Sequence, residues 1–413
     1  MLGKAFFAAL RDGSWATPDR WRALSIVWLV QQVAVVIFIG AAFARYSAAH
    51  AGKLAATDFM TFWSAARMAV LHGGAAAYDD PARIALQQAV GAIDAGGHYP
   101  YWYPPTFLLV TAPLGYLSYA AAALVFLLIG YALVWAAIRL IAPSGGAALV
   151  LVFSPIMLLN ALIGQNGTLS CAIFAMALVW IDSRPFLAGA ALGLLVCKPH
   201  LAVLAPVLFL AARRWRALGG FIATACALMI ASALVLGPGA WLGFFSHEQE
   251  ATAALRDFPD NWPKMQSVFT AVRLLGGSAT LAFLAQGCLA ATVVAMLLGP
   301  HFVAWRRGGN GPPAAGSGAA DIALLTAASL LATPYMFDYD LTCLLVPMAF
   351  LLAAHGQSSP RPWECSLILL LYVLPVAARV LAVTHHIPVM PPVLFAFFVI
   401  LWRRRREALQ GQG

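Results

Sequence analysis

Apolar runs of near membrane-crossing length follow one another along almost the whole of this 413-residue chain, and its charges are confined to the gaps between them. A helix crosses the hydrocarbon core with about 20 apolar residues. Within lipid every backbone polar group must be satisfied internally, so such runs fold as helices. Composition agrees: the chain is 62% hydrophobic and 10% charged, with mean hydropathy +0.82, whereas a water-soluble chain is about a quarter charged. The expected fold class is all-α, a polytopic membrane protein forming one domain over residues 1–413, with about 12 spans (roughly 10–13). The six cysteines stand singly in or beside apolar stretches. They read as small core residues, with neither a disulfide framework nor metal-ligand spacing.

Spans are expected near 24–44, 119–141, 147–163, 168–182, 185–198, 199–212, 217–236, 279–304, 321–333, 340–355, 363–381 and 389–402. The first is too long for a signal-peptide core and reads as an uncleaved span. A single helix from Phe186 to Ala212 would hold Lys198 near the bilayer centre, at about 2.5–3.5 kcal/mol on insertion scales. Two short helices broken at Lys198-Pro199 are expected instead. With the N-terminus cytoplasmic, this threading puts most Lys and Arg inside, including Arg20, Arg22, Arg139, Arg184, Arg213, Arg214, Arg306, Arg361 and Arg403 to Arg406. Most carboxylates fall outside, among them Asp58, Asp79, Asp80, Asp94, Glu250, Asp338 and Asp340.

The net charge of +9 is thus distributed as topology determinants between apolar runs, which leaves no basic face for nucleic acid. Two external stretches are long, 45–119 and 237–278, while the cytoplasmic linker 308–320 is Gly/Pro/Ala-rich. The first external stretch carries two expected juxtamembrane helices. One begins at Thr57-Asp58 with Phe59, Phe62, Trp63 and Met68. The other begins at Pro81 with Ile84, Ala85, Ala89 and Ile93 at helical spacing. No internal repeat marks an inverted-repeat transporter.

Polar residues able to do chemistry gather on the external side. Asp58 is a lone carboxylate entering an aromatic helix, either a helix N-cap or a general base at the lipid–water boundary. Tyr103-Pro104-Pro105 predicts a rigid turn into an interfacial or re-entrant helix. Gln165 and Asn166, between two glycines, offer amides to sugar hydroxyls. Lys198-Pro199-His200 puts a cation and an imidazole at an external helix junction, where an end-of-helix lysine either snorkels or binds an anion such as phosphate. Lys264 and Gln266 lie in the second long stretch. Tyr335, Asp338, Tyr339 and Asp340 alternate aromatic and acidic groups between two spans, without a convincing third metal ligand. No P-loop or Rossmann glycine pattern is present for a nucleotide sugar. An activated group therefore arrives on a lipid.

In order and spacing these segments resemble the GT-C superfamily of polytopic glycosyltransferases, and most closely the bacterial polyprenyl-phosphate-mannose-dependent mannosyltransferases of glycosyltransferase family 87. The resemblance runs through Asp58 with Trp63, Ala65, Ala66 and Arg67; Tyr78-Asp79; Tyr103-Pro104-Pro105; Gly164-Gln165-Asn166; Lys198-Pro199; Gln266-Ser267; and Pro334-Tyr335 with Tyr339-Asp340-Leu341. It implies an inverting transfer of a sugar, mannose first, from polyprenyl phosphate to a glycolipid or glycan hydroxyl on the periplasmic face. Asp58 would be the general base, with Lys198, helped by His200 or Lys264, facing the departing phosphate. Trp63, Tyr103 and Tyr335 would stack on sugar faces. It further implies neither a cofactor nor a metal, membrane lipids as surroundings, and a bacterial inner membrane location with both termini cytoplasmic. The rival readings are a transporter or flippase of lipid-linked sugars, and a non-catalytic subunit of an envelope-assembly complex.

Overall fold

The computed structural model of the chain describes residues 2–49, 54–92, 98–142, 145–306, 317–355 and 359–410. Each expected span is helical. Seven helices among the described residues are long and apolar enough to cross a membrane: Asp19–Ala49, Tyr119–Ile141, Gly146–Ile163, Trp215–Leu236, Ala279–Val303, Asp338–His355 and Glu364–His385. The last expected span is the helix Met390–Gln410, whose C-terminal half holds the arginine cluster. The protein is an all-α, multi-pass membrane protein. Among the described residues the one two-stranded sheet is a two-residue parallel contact of Leu54–Ala55 with Gly91–Ala92.

Four apolar helices are short, at 10–17 residues: Gly167–Trp180, Pro185–Cys197, Pro199–Ala211 and Ser317–Ala332. At about 1.5 Å per residue they reach roughly 15–26 Å, less than the ~30 Å of a hydrocarbon core. Pro185–Cys197 starts beside Trp215–Leu236, where Asp182 meets Arg214, and is the shorter of the two, so its Lys198 end lies below the far end of its neighbour. Ser317–Ala332 starts within the expected 308–320 linker, and residues 308–316 of that linker lie outside the described residues.

Lys198 marks a reversal of the chain. Gly189 packs on the backbone of Ala217, and Gly193 packs on Phe221, Thr224 and Ala225, so Pro185–Gly193 and Trp215–Leu236 lie side by side and run parallel. Their starting ends are also joined, by Arg214 to Asp182 at 3.3 Å. Between two parallel neighbours the chain must come back, and Pro199–Ala211 is that return. The expected break at Lys198-Pro199 is thus found, and the helix starts on both sides of it use proline at N1 or N2.

The segment ends assigned to one side do meet at one end of the bundle. Asp182 accepts from the Gly318 and Ala319 amides, each at 3.2 Å, anchoring the start of Ser317–Ala332. Arg405 pairs with Asp321 at 2.6 Å, and Arg404 with Glu364 at 2.6 Å. Arg405 is 1% exposed, so part of the arginine cluster read as a topology signal is an interior ion pair. The apolar core between the two ends is built from Phe174, Phe209, Leu324, Leu345, Phe397 and neighbours. The helix Asp19–Ala49 meets it along one side, through Trp21, Leu24 and Trp28, and leaves most of its apolar surface uncovered, with 6% of its apolar window buried.

Three helices cover the opposite end within the first long stretch: Phe59–His72, Asp80–Val90 and Pro105–Thr111. Phe59–His72 buries residues on every face, as a helix apolar all round does. Asp80–Val90 behaves differently from expectation. Its buried residues are Arg83 and Gln87, while Ala85 and Ala89 are exposed. The reason is hydrogen bonding: Gln87 and Arg83 both donate to the Tyr99 carbonyl, at 2.9 and 2.6 Å, and so tie down the segment that leads to Tyr103. Ile93 and Asp94 lie outside the described residues.

Candidate active site

Asp58 opens the helix Phe59–His72, yet its side chain caps no backbone amide. The helix-cap reading of this carboxylate is therefore not what the geometry shows. Its Oδ2 instead accepts from the Gln165 side-chain amide at 3.1 Å, and Asp58 is half-buried. Gln165 is held at its other atom too, since the Tyr103 hydroxyl donates to its Oε1 at 3.4 Å. Burial raises the Tyr103 phenol above its ordinary pKa, with the Lys198 charge pulling the other way, so it remains a donor.

The turn carrying Gln165 is set by its neighbours. Gly164 has φ +71, the left-handed conformation that ends Pro155–Ile163 and favours glycine. Asn160 brackets the turn, donating to the Gln165 carbonyl at 2.9 Å and accepting from the Gly167 amide at 3.0 Å. Two consecutive amide side chains then face different partners. Gln165 takes Asp58, and Asn166 accepts from Lys198 Nζ at 2.8 Å.

Lys198 is 5% exposed and forms an ion pair with Asp340, which is fully buried. Its ammonium also lies 4.7 Å from the centre of the Tyr339 ring. The second oxygen of Asp340 accepts from the Phe337 amide at 3.2 Å. Asp338 faces another cation, Arg379, at 2.8 Å. The two carboxylates of this segment thus each meet their own base, rather than forming a two-carboxylate pair. His200 lies beside them, its ring 6.4 Å from that of Tyr335, with a buried Nε2 that has no partner among the described residues.

The second long stretch is stitched to the same segment. Met265 and Phe337 form an antiparallel bridge, and the Gln266 amide donates to the Met336 carbonyl at 2.8 Å. Gln266 turns its side chain back to the Pro263 carbonyl at 3.2 Å, and Lys264 is exposed beside it. Two other expected contacts lie in the packing. Trp63 is 4% exposed, with its indole N–H on the Leu117 carbonyl at 3.0 Å, leaving no ring face for a sugar. Arg67 donates to the Gly115 carbonyl at 3.0 Å and fastens one segment to the next.

Three contributors escaped the sequence reading. Tyr99 donates to the Ala56 carbonyl at 3.0 Å, and burial, with the Asp58 charge adding, pushes its phenol up to about 12. Tyr119 lies within hydrogen-bonding distance of Thr57, 3.2 Å from its hydroxyl. Both brace the residues just before Asp58. Arg379 is the third, and here a signal existed: an arginine inside an apolar run requires a partner.

A multi-pass membrane protein with one recessed polar site, where a carboxylate and a lysine flank adjacent amides, is the class that fold and site define. The signature of glycosyltransferase family 87 matches residues 101–334, more than half of the chain. The chain belongs to glycosyltransferase family 87 and is a membrane glycosyltransferase. The matched region holds Tyr103, Gln165, Asn166, Lys198, Lys264 and Gln266; Asp58 stands before it and Tyr335 to Asp340 follow from its edge. No curated protein and no solved structure matches the chain.

Proposed function

We propose that this glycosyltransferase moves a sugar, mannose first, from polyprenyl phosphate to a hydroxyl of a glycolipid or glycan on the periplasmic side, with inversion and with Asp58 as general base. The observation that carries the reading is the hydrogen bond from Gln165 to Asp58. It holds an uncapped carboxylate at the recessed end of the short helices, one residue along the chain from the Lys198 contact.

In this scheme an acceptor hydroxyl binds against the free side of Asp58 and gives up its proton as its oxygen attacks the anomeric carbon. The bond from that carbon to the phosphate oxygen breaks, and the lipid phosphate departs with the electron pair. Lys198 is paired with Asp340, so a departing phosphate reaches its charge by taking the place of Asp340. Lys264, exposed at the rim, is a second cation open to phosphate. The base and amides need no metal for this step. The short helices support a lipid-borne donor, because a site recessed into the bilayer is reached by a headgroup whose chain stays in the membrane.

Transfer of radiolabelled mannose from polyprenyl phosphate mannose in proteoliposomes tests this reading directly. Wild-type protein is expected to turn over, and Asp58→Asn to lose about 100-fold or more, the contribution of a positioned base. Comparable turnover by Asp58→Asn rejects the assigned base. No turnover by wild type with any sugar on a lipid phosphate rejects the donor class.

A further inference from the structure

We propose that Asp80, His247 and Glu250 form a binding site for a divalent transition-metal ion, zinc by its ligand set, that fastens the two long external stretches together away from the reacting groups. One ligand atom from each of the three residues lies within 4.8 Å of the others. Ligands sharing one zinc at about 2.0–2.2 Å sit some 3–4 Å apart, so a small side-chain adjustment closes the set. Asp80 opens the helix Asp80–Val90, while His247 and Glu250 lie on the helix Pro238–Asp257. Their spacing of three residues puts both on one helix face.

The imidazole is prepared for a cation. His247 Nδ1 lies 2.8 Å from the Gly243 carbonyl, an acceptor only, so the ring proton belongs on Nδ1. Nε2 is then a lone pair, and it faces a carboxylate oxygen, Asp80 Oδ2, at 3.2 Å. Two acceptors opposed at that distance need a positive charge between them. A proton would serve these two atoms alone, whereas the carboxylate of Glu250 also lies within 4.8 Å of both, as a third ligand atom for a cation. The other oxygen of Asp80 is held by Arg83, which is fully buried and anchored on the Tyr99 carbonyl. This is the arrangement by which a group behind a carboxylate ligand fixes its direction.

One nitrogen and two carboxylates with an open fourth position suit zinc, whereas magnesium and calcium take six or more oxygens. The ion would set the distance between the helix Asp80–Val90, which is bonded to the Tyr99 carbonyl, and the helix leading to Lys264 and Gln266. Its role is to hold, and the transfer chemistry does not pass through it.

The test uses full-length protein in detergent, stripped with a chelator and then titrated with zinc, following metal content and Tm. About one zinc per chain is expected, with a saturable rise in Tm. Glu250→Gln, at an exposed position, should fold normally, match the stripped wild type in Tm, and bind zinc at least tenfold more weakly. His247→Asn should do the same. Equal zinc binding in wild type and both variants overturns the site. So does a Tm that responds to pH through the histidine range yet is unmoved by zinc, the behaviour of a His–Asp ion pair alone.

Discussion

The Gln165 side-chain amide donates to the Asp58 carboxylate at 3.1 Å across a sequence separation of 107 residues. Because the Tyr103 hydroxyl fixes the other end of that amide, its orientation is decided by the two partners together. A carboxylate held this way keeps its free oxygen aimed at one place.

Replacing Gln165 by Leu keeps much of the volume and removes both hydrogen bonds. Initial-rate assays are expected to show kcat lowered about 100-fold, the effect of a small misplacement at a reacting centre, with donor KM changed much less. An unchanged kcat would mean that the amide does not position Asp58.

Lys198 and Asp340 test the energetics of a buried pair. Lys198→Met leaves Asp340 as an uncompensated interior charge and is expected to cost about 3–5 kcal/mol. Adding Asp340→Leu should restore most of that loss, since an apolar pair of similar volume is often neutral or better. Thermal unfolding of the two variants in detergent gives the answer; equal destabilisation by single and double changes would contradict the pairing.

Arginines in the terminal cluster should not be equivalent. Arg403 is exposed, while Arg405 is buried against Asp321. Arg403→Ala is expected to shift stability by less than about 0.5 kcal/mol, whereas Arg405→Ala should cost about 3–5 kcal/mol. If the cluster acted as a topology signal alone, the two variants would behave alike in thermal unfolding.

Glycine positions separate close packing from open surface. A Cβ at Gly189 would run into the backbone of Ala217, and one at Gly219 would meet nothing within 4 Å. Gly189→Leu is expected to lose the folded peak in size-exclusion chromatography. Gly219→Ala should raise stability by about 0.5–1 kcal/mol, since helix-interior glycine is the poorer residue.

Much of this was open to reading in the chain. The apolar runs, the break at Lys198-Pro199 and the proline-started helix after Tyr103 each rest on local physics: hydropathy over a bilayer's width, the expense of a charge in lipid, and the missing amide of proline. Asp58, Gln165, Asn166, Lys198 and Asp340 could be picked out because polar groups at the ends of apolar runs are few. Local pattern misled where hydrogen bonding outweighed it. Arg83 and Gln87 are the buried face of Asp80–Val90 because the Tyr99 carbonyl needed donors, and no periodicity of apolar residues reports that need.

Sequence alone determined that this chain is a helical membrane protein and where its apolar runs lie, because each follows from solvation of neighbouring residues. Tertiary structure decided the partners. It placed Trp63 in the packing, gave Lys198 to Asp340 and Arg379 to Asp338, and freed Asp58 from capping so that Gln165 could hold it. Which charge meets which depends on how helices distant in sequence pack, and a one-dimensional pattern of polarity does not contain that geometry.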